Sequence, residues 1–169
     1  MKEALKGNHK NDEFYTPLYA IEPLLKYIPK NITIWEATDY GKSNISLALE
    51  NHGCKVIKTH IKDGINFIDY NPTFNYDMII TNPPYTQKNE FLEKCYKLNK
   101  PFALLLPLTA LEGIERGKLF RKYGIDLLVL DKRIEFIENK SNWFNTSWFT
   151  WHILPKALIF EELKKGAKQ

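Results

Sequence analysis

The residues best suited to chemistry form the run Thr81-Asn82-Pro83-Pro84-Tyr85, which ends an apolar segment that begins at Tyr76. Two successive prolines donate no backbone hydrogen bond, and the first forces Asn82 into an extended conformation. The result is a stiff turn whose carbonyl groups and Asn82 amide can point at a ligand. Asparagine pairs well with adenine because its amide matches the exocyclic amine and the neighbouring ring nitrogen. With the aromatic face of Tyr85 beside it, this turn is a candidate ligand-binding site whose residue types suit a base such as adenine.

Short apolar runs alternate with amphipathic segments along the chain, which is typical of an α/β fold. Strands are predicted at Ile32–Glu36, Cys54–His60, Tyr76–Thr81, Phe102–Leu106 and Ile125–Leu130. Helices are predicted at Thr16–Ile28, Ser43–His52, Gln87–Leu98 and Gly117–Tyr123, and an antiparallel C-terminal hairpin is predicted from Trp148–Leu154 and Ala157–Leu163. Ligands of a doubly wound sheet sit beyond the carboxyl ends of its strands. We therefore expect the site in the loops 37–43, 60–66 and 82–87.

The composition is that of a globular domain of ordinary size. The chain has 169 residues, 44% of them hydrophobic, and a formal net charge of +4. No apolar run approaches the roughly 18 residues of a membrane span, and the first residues are polar. Cys54 and Cys95 lie far apart without a Cys/His cluster, which argues against a disulfide framework or a zinc module. We expect a cytoplasmic protein with no membrane partner and no bound metal.

The TNPPY run at 81–85 resembles the (D/N/S)PP(Y/F) motif of S-adenosylmethionine-dependent amino-methyltransferases, above all those that methylate the N6 amine of adenine in DNA. The segment 102–132 is similar to the strand–helix–strand that follows this motif in small phage-like members. The resemblance implies a Rossmann-like, mostly parallel sheet. It also implies that Asn82 and the Pro83 carbonyl accept hydrogen bonds from the adenine amine. Pro84 would complete the rigid turn, and Tyr85 would stack on the flipped base.

The same resemblance implies a cofactor site in the first half of the chain. The segment 13–17 resembles the part that covers the cofactor, and 35–43 takes the place of a loop with the pattern WEPxxGxG. Ser43 stands where a second glycine is usual, and His60 where an acidic residue binds the ribose. Asn66 would accept the cofactor's adenine amine, with Asp63 as an alternative for either polar role. The implied S-adenosylmethionine ligands are Phe14, Tyr15, Thr16, Pro17, Glu36, Gly41, Ser43, His60, Asp63 and Asn66.

Other side chains are candidates for contact with nucleic acid. The stretch 143–151 holds five aromatic residues, most of which fit an aromatic core layer. The resemblance implies that Phe144 or Trp143 packs on the other face of the target base. Arg116, Arg121 and Arg133 could contact phosphates, although a solvated surface is the commoner meaning of such residues. The GKS at 41–43 does not indicate a nucleotide triphosphatase, because Glu36 stands where the full phosphate-loop pattern needs glycine.

The expected layout is one methyltransferase-like domain over 1–169, without a separate target-recognition domain. It divides into an N-terminal cofactor-covering segment (1–30), a cofactor-binding half (31–75) and a catalytic half (76–163). The expected activity is methyl transfer to adenine N6 in nucleic acid, with DNA favoured. Sequence specificity would be low, or a homodimer or partner protein would supply it. The alternative is a catalytically silent relative that binds nucleic acid or protein. A third hypothesis is an enzyme that acts on the cofactor or a small nucleotide.

Overall fold

A seven-stranded sheet organises the protein, and the computed structural model describes residues 15–136 and 144–165. The strands are β1 (Thr33–Glu36), β2 (Lys55–Lys58), β3 (Met78–Thr81), β4 (Phe102–Pro107), β5 (Asp126–Leu130), β6 (Thr146–Trp151) and β7 (Leu158–Glu161). Their order is β2-β1-β3-β4-β6-β5-β7, and β6 runs antiparallel to both of its neighbours. The other pairings are parallel. The predicted doubly wound, mostly parallel α/β sheet is confirmed.

Helices cover both faces of the sheet, so its central strands are apolar on both sides. The helices are α1 (Glu22–Leu25), α2 (Asn44–His52), α3 (Lys88–Leu98) and α4 (Ile114–Tyr123). One core cluster lies under α1 and α2 and includes Leu24, Leu49 and Trp148. The other lies under α3 and includes Leu92 and Phe149. All six residues of β4 are buried, as its run of apolar residues predicts.

The termini of α2 follow the sequence signals. Ser43 precedes the helix, and its hydroxyl accepts hydrogen bonds from the backbone N–H groups of Ile45 and Ser46. Gly53 ends the helix with a φ of 102°, a left-handed conformation that favours glycine. These capping signals fix the helix that follows the loop 37–43. They therefore also fix where that loop must end.

The predicted single helix over 16–28 is wrong. The structure has a 3-10 helix at Leu18–Ala20 and then α1, with Pro23 in the first turn of α1. Pro23 has no N–H and is tolerated only in a first turn, so the chain starts a new helix there instead of extending the old one. Thr16 does not cap a helix, and its hydroxyl is used by Asn82 instead.

The C-terminal strands do not pair with each other as a hairpin. β6 lies between β4 and β5, and β7 pairs in parallel with the far side of β5. Trp148 and Phe149 point to opposite faces of β6, and both are fully buried. A strand with two buried faces belongs inside the sheet, which is the physical reason that β6 is central. Within the described residues, no helix is long and apolar enough to cross a membrane.

Candidate functional site

The loops 37–43, 60–66 and 82–87 meet at the carboxyl edge of the sheet. β1 lies between β2 and β3 and is parallel to both, so the three loops leave the sheet side by side. A cavity of about 310 Å³ lies among them. Its described wall consists of Tyr15, Thr16, Ala37, Thr38, Asp39, Tyr40, Lys42, Ser43, Ile45, His60, Ile61, Ile65, Asn66, Phe67, Asn82, Pro84, Gln87 and Phe91. The cavity therefore lies where the topology of the sheet predicts a ligand site.

The structure brings many of the predicted site residues to this wall. Those that line the cavity are Tyr15, Thr16, Ser43, His60, Asn66, Asn82 and Pro84. The described residues Pro17, Glu36, Gly41, Asp63, Pro83 and Tyr85 are not among those that line it. Phe14 and Trp143 lie outside the described residues. The roles of all these residues stay predictions, and the structure gives the positions of the described ones only.

The wall also contains residues that sequence reasoning did not single out. Asp39 and Tyr40 belong to the predicted loop 37–43, so the position of that loop was the available signal. Phe67 and Phe91 come from the core cluster under α3 and give the cavity an aromatic floor. Their rings stack with centroids 4.6 Å apart. No local pattern distinguishes such residues from ordinary core residues.

The side chain of Asn82, in the TNPPY run, is held in place by a residue of the N-terminal segment. Its side-chain amide Nδ2 donates a hydrogen bond of 3.0 Å to Thr16 Oγ1. The carbonyl of Thr16 in turn accepts a hydrogen bond of 3.0 Å from Asn44 Nδ2, at the start of α2. Thr16 is 5% exposed, so both contacts are shielded from water. The orientation of the Asn82 amide therefore depends on a residue that lies 66 positions earlier in the chain.

Glu36 supports the site from below the cavity wall. Its carboxylate Oε1 accepts hydrogen bonds of 3.0 Å from the Thr38 backbone N–H and 2.5 Å from the Thr81 hydroxyl. The Thr38 and Thr81 hydroxyl oxygens are themselves 2.7 Å apart. Burial raises the pKa of the Glu36 carboxyl, although these hydrogen bonds partly oppose that rise. Glu36 is 1% exposed and joins the end of β1 to the residue before Asn82, so its position is that of a supporting residue.

Asp39 organises the loop 37–43 from inside. Its Oδ1 accepts backbone hydrogen bonds from Gly41, Lys42 and Ser43, at 2.6, 3.0 and 3.0 Å. Its Oδ2 accepts a bond of 2.5 Å from the Ser46 hydroxyl. Burial alone would raise the pKa of Asp39, but these hydrogen bonds outweigh it and lower the pKa below its usual value. The loop 37–43 is therefore built around a carboxylate that these N–H and hydroxyl donors stabilise in its charged form.

Gly41 and Ser43 have local structural roles in this loop. Gly41 has a φ of 88°, and an added Cβ there would meet no atom within 4 Å. Its left-handed backbone conformation favours glycine, because residues with a Cβ rarely adopt it. Ser43 has a φ of −73°, which any residue adopts, and its hydroxyl caps α2. A serine in place of the usual second glycine is therefore compatible with the loop as built.

His60 and Asn66 follow β2 in the chain and contribute to the same cavity wall as Asn82. His60 Nδ1 accepts a hydrogen bond of 3.0 Å from the Lys62 backbone, and its ring lies 5.2 Å from that of Tyr40. The Asn66 oxygen accepts the Ile68 N–H at 3.2 Å, and its nitrogen donates to Asp69 at 2.9 Å. These bonds fix both side chains. The amide of Asn66 has a structural task in its turn as well as a place on the cavity wall.

Two of the aromatic residues predicted to contact a base, Tyr85 and Phe144, are neighbours in the structure. The rings of Tyr85 and Phe144 have centroids 5.7 Å apart and planes inclined at 76°. Both side chains are half-buried. β6 brings Phe144 to this place because its first residue, Thr146, pairs with Pro107 at the end of β4, next to β3. The structure thus places Phe144 beside the TNPPY turn.

The three predicted phosphate-binding arginines have different environments. Arg116 donates from Nε to the Ala110 carbonyl and from a terminal nitrogen to Asn89 Oδ1, each at 2.6 Å, and also to the Glu112 carbonyl. These bonds give Arg116 a structural role at the start of α4. Arg121 is exposed on α4. Arg133 is exposed and donates to Asn145 Oδ1 at 2.8 Å, so it adjoins the segment that carries Phe144.

Comparison with known proteins gives a match in structure only. No known family profile and no curated protein sequence matches the chain. A Listeria monocytogenes protein described as a class I S-adenosylmethionine-dependent methyltransferase aligns with a TM-score of 0.56 and 12% identity, over 92% of this chain and 68% of that one. A protein-(glutamine-N5) methyltransferase from Alicyclobacillus acidocaldarius, specific for release factors, aligns with a TM-score of 0.40 and 16% identity, over 80% and 93% of the two chains. With the first of these and the sheet order, the chain is shown to have the Rossmann-like fold of class I methyltransferases.

Proposed function

We propose that this protein transfers a methyl group from S-adenosylmethionine to the N6 amine of adenine in nucleic acid, with DNA as the first substrate to test. The observation that carries the proposal is the bond from Asn82 Nδ2 to Thr16, which fixes the amide of the TNPPY turn at the cavity wall. The description of the Listeria monocytogenes protein as a methyltransferase that depends on S-adenosylmethionine supports the choice of cofactor.

The cavity fits S-adenosylmethionine in size and chemistry. Its volume of about 310 Å³ lies near the lower end of the roughly 300–1,000 Å³ usual for small-ligand sites. Ile61, Ile65 and Phe67 provide apolar wall for the adenine ring, and Asp39 provides a negative charge for a cationic ligand. His60 and Ser43 offer polar atoms on the same wall. When bound, the cofactor supplies a methyl group on a positively charged sulfur, which makes that carbon electrophilic.

The TNPPY turn prepares the amine that receives the methyl group. Because the nitrogen of the Asn82 amide is committed to Thr16, its oxygen is the end that accepts a hydrogen from the amine. The Pro83 carbonyl accepts the second hydrogen. Two acceptors that hold both hydrogens draw the nitrogen lone pair out of conjugation with the ring. The amine nitrogen would then bond to the methyl carbon as the carbon–sulfur bond breaks, S-adenosylhomocysteine would be the leaving group, and one amine hydrogen would be lost as a proton to solvent.

The base itself is held by the aromatic side chains beside the turn. Tyr85 stacks on the flipped adenine, and Phe144 packs against the edge of this site. Stacking of this kind contributes about 1–3 kcal/mol per base in other proteins and is tolerant of sequence. The carboxyl edge of the sheet thus holds a cofactor site and a base site that share Asn82.

The first experiment is calorimetric titration of the purified protein with S-adenosylmethionine and S-adenosylhomocysteine. The second is incubation with single-stranded DNA, duplex DNA and RNA of one sequence, with N6-methyladenine measured by mass spectrometry. Asn82→Ala should lower the rate about a hundredfold, as loss of one essential polar group does elsewhere, and should change cofactor affinity little. The matched control is Asn75→Ala, because Asn75 is exposed at the opposite end of β3.

Each outcome decides between the hypotheses. No cofactor binding by the folded protein at millimolar ligand would refute the proposal. Cofactor binding without methylation of any nucleic acid would also contradict it and would favour a silent binding module. A methylated product of low molecular mass would favour the enzyme that acts on a small nucleotide.

A further inference from the structure

The two edges of the sheet are built in different ways. One edge strand, β2, begins and ends with exposed lysines, Lys55 and Lys58. Such charges protect an open strand from pairing with another chain. The other edge strand, β7, instead exposes Leu158 by 51% and Phe160 by 71%. An edge with exposed apolar side chains and no charge between them is a template for strand pairing.

One face of β7 is already covered within the protein. Ile159 packs against the core cluster under α1. Glu161 accepts a hydrogen bond of 2.7 Å from the Tyr27 hydroxyl and binds the Lys26 ammonium group. Since side chains alternate along a strand, Leu158 and Phe160 both point to the opposite face. That face and the outer edge are the parts of β7 that a partner can reach.

The backbone of β7 offers its outer hydrogen-bonding groups at the same two residues. The carbonyls of Ala157 and Glu161 accept bonds from the N–H groups of Leu127 and Asp131 in β5, at 2.9 and 3.1 Å. The main-chain groups of alternate residues point to alternate sides of a strand. The N–H and C=O groups of Leu158 and Phe160 therefore point away from β5.

We propose that β7 is the dimer interface of this protein, pairing antiparallel with β7 of a second copy about a two-fold axis at Ile159. In this register Leu158 of one copy lies opposite Phe160 of the other, and Lys156 lies opposite Glu162. Each contact occurs twice because the axis repeats it. Cross-strand pairs of apolar residues and of opposite charges both stabilise antiparallel strands.

Other registers that use the same outer backbone groups give poor pairs. An axis at Phe160 would set Leu158 opposite Glu162 and Lys156 opposite Lys164. An axis at Leu158 would set Lys156 opposite Phe160. Of these three registers, only the one with its axis at Ile159 pairs apolar with apolar and basic with acidic residues throughout the set Lys156, Leu158, Phe160 and Glu162. This complementarity identifies a second copy of the chain, rather than an unrelated protein, as the occupant of the edge.

The interface is independent of the proposed activity. β7 is separated from β3, which carries the TNPPY turn, by β4, β6 and β5. Four strand spacings amount to about 19 Å. Substitutions on β7 should therefore change the oligomeric state and leave cofactor binding unchanged, so that failure of this inference and failure of the proposed function can be told apart.

The test is sedimentation velocity over a range of protein concentrations. The wild-type protein should pass from monomer to dimer as its concentration rises into the high micromolar range. Phe160→Lys should abolish the dimer, and the matched control Leu47→Lys should not, because Leu47 is 45% exposed on α2 and away from β7. Circular dichroism and the urea midpoint of each variant establish that it is folded.

A charge exchange tests the register itself. Lys156→Glu and Glu162→Lys should each weaken dimerisation about tenfold, since each sets like charges opposite one another twice. The double variant K156E/E162K should restore the wild-type dissociation constant. A wild-type protein that stays monomeric throughout would overturn the proposal. So would a dimer that Phe160→Lys leaves intact, or one that the double exchange does not restore.

Discussion

The side-chain amide of Asn82 donates its hydrogen bond to Thr16, a residue that lies 66 positions earlier in the chain. The bond joins the N-terminal segment to the TNPPY turn directly above β3. Asn44 holds the carbonyl of the same threonine. Thr16 therefore connects the loop that begins α2 with the residue proposed to receive the adenine amine. Its hydroxyl acts on that residue rather than on the helix it precedes.

The first prediction concerns this hydroxyl. Thr16→Val keeps the shape of the side chain but removes the acceptor, so the Asn82 amide loses its fixed orientation. We expect kcat to fall about tenfold, the value of one hydrogen bond of roughly 1–1.5 kcal/mol. Thr16→Ser should restore most of the rate. The exposed Thr73, before β3, provides the matched control Thr73→Val.

A double-mutant cycle checks that Thr16 acts through Asn82. In an Asn82→Ala background, Thr16→Val should have little further effect on kcat, because the amide that it orients is gone. Equal losses in both backgrounds would show that Thr16 works in another way, for example by direct contact with the cofactor.

The second prediction concerns Asp39. Asp39→Asn keeps the size of the side chain but removes the negative charge of the carboxylate, whose Oδ1 accepts hydrogen bonds from three backbone N–H groups. We expect the free energy of unfolding to fall by roughly 1–3 kcal/mol and the affinity for S-adenosylmethionine to fall about tenfold. Ser46→Ala removes one hydrogen bond to the same carboxylate and should have a smaller effect on both.

The pH dependence of stability gives a separate check on Asp39. Its pKa in the folded protein lies below the ordinary 3.8, so the folded state binds this proton less tightly than the unfolded state does. The stabilisation is therefore complete above that value and is lost as the pH falls through the folded pKa. Urea denaturation between neutral and acid pH should show this loss in the wild type and a shallower loss in Asp39→Asn.

The third prediction concerns Glu36, for which stability should change with pH in the opposite direction from Asp39. Burial raises its pKa above the ordinary 4.5, so the folded state holds this proton more tightly than the unfolded state does. The contribution of Glu36 to stability is complete below 4.5 and declines as the pH rises through the folded pKa. Glu36→Gln keeps an oxygen for Thr38 and Thr81 but does not titrate.

Urea midpoints of the wild type and Glu36→Gln over this pH range provide the measurement. The wild type should lose stability relative to the variant as the pH rises, and at neutral pH the variant should be at least as stable. A variant that is less stable by the same amount at every pH would mean that geometry, not ionisation, determines the role of Glu36.

The sequence predicts the parts of this structure that depend on local signals. Ser43 and Gly53 mark α2 because capping is decided within a single turn, and the apolar run from Phe102 identifies a strand buried on both faces. The place of the cavity follows from the alternation of strands and helices alone. The TNPPY run is recognisable in the sequence because two successive prolines after a strand donate no backbone hydrogen bonds and form a stiff turn.

The parts that the sequence does not predict depend on contacts between distant residues. The bond between Thr16 and Asn82 joins residues that are 66 positions apart. The local sequence around Thr16 therefore predicts a helix cap and gives no sign of this bond. The position of β6 between β4 and β5 is set by burial on both faces and leaves no periodic signal that fixes strand order. Asp39 is a related case, because its role appears only when the loop folds its N–H groups around one carboxylate.

The last prediction separates the base site from the cofactor site. Tyr85 contacts Phe144 outside the described cavity wall, whereas Tyr40 lines the cavity beside His60. Tyr85→Ala should raise KM for single-stranded DNA about tenfold, in keeping with about 1–3 kcal/mol for a stacked base, and leave cofactor affinity unchanged. Tyr85→Phe should retain the wild-type KM.

Tyr40→Ala should show the reverse pattern, with weaker cofactor binding in calorimetry and a KM for DNA, at saturating cofactor, close to that of the wild type. Each substitution removes one partly exposed aromatic ring. If a variant were simply less stable, it would bind both the cofactor and DNA more weakly. Loss of cofactor affinity in Tyr85→Ala would place its ring on the cofactor instead of the base. The division of the carboxyl edge into two sites that share Asn82 would then be wrong, and the methyl-accepting base would have to enter from another side of the TNPPY turn.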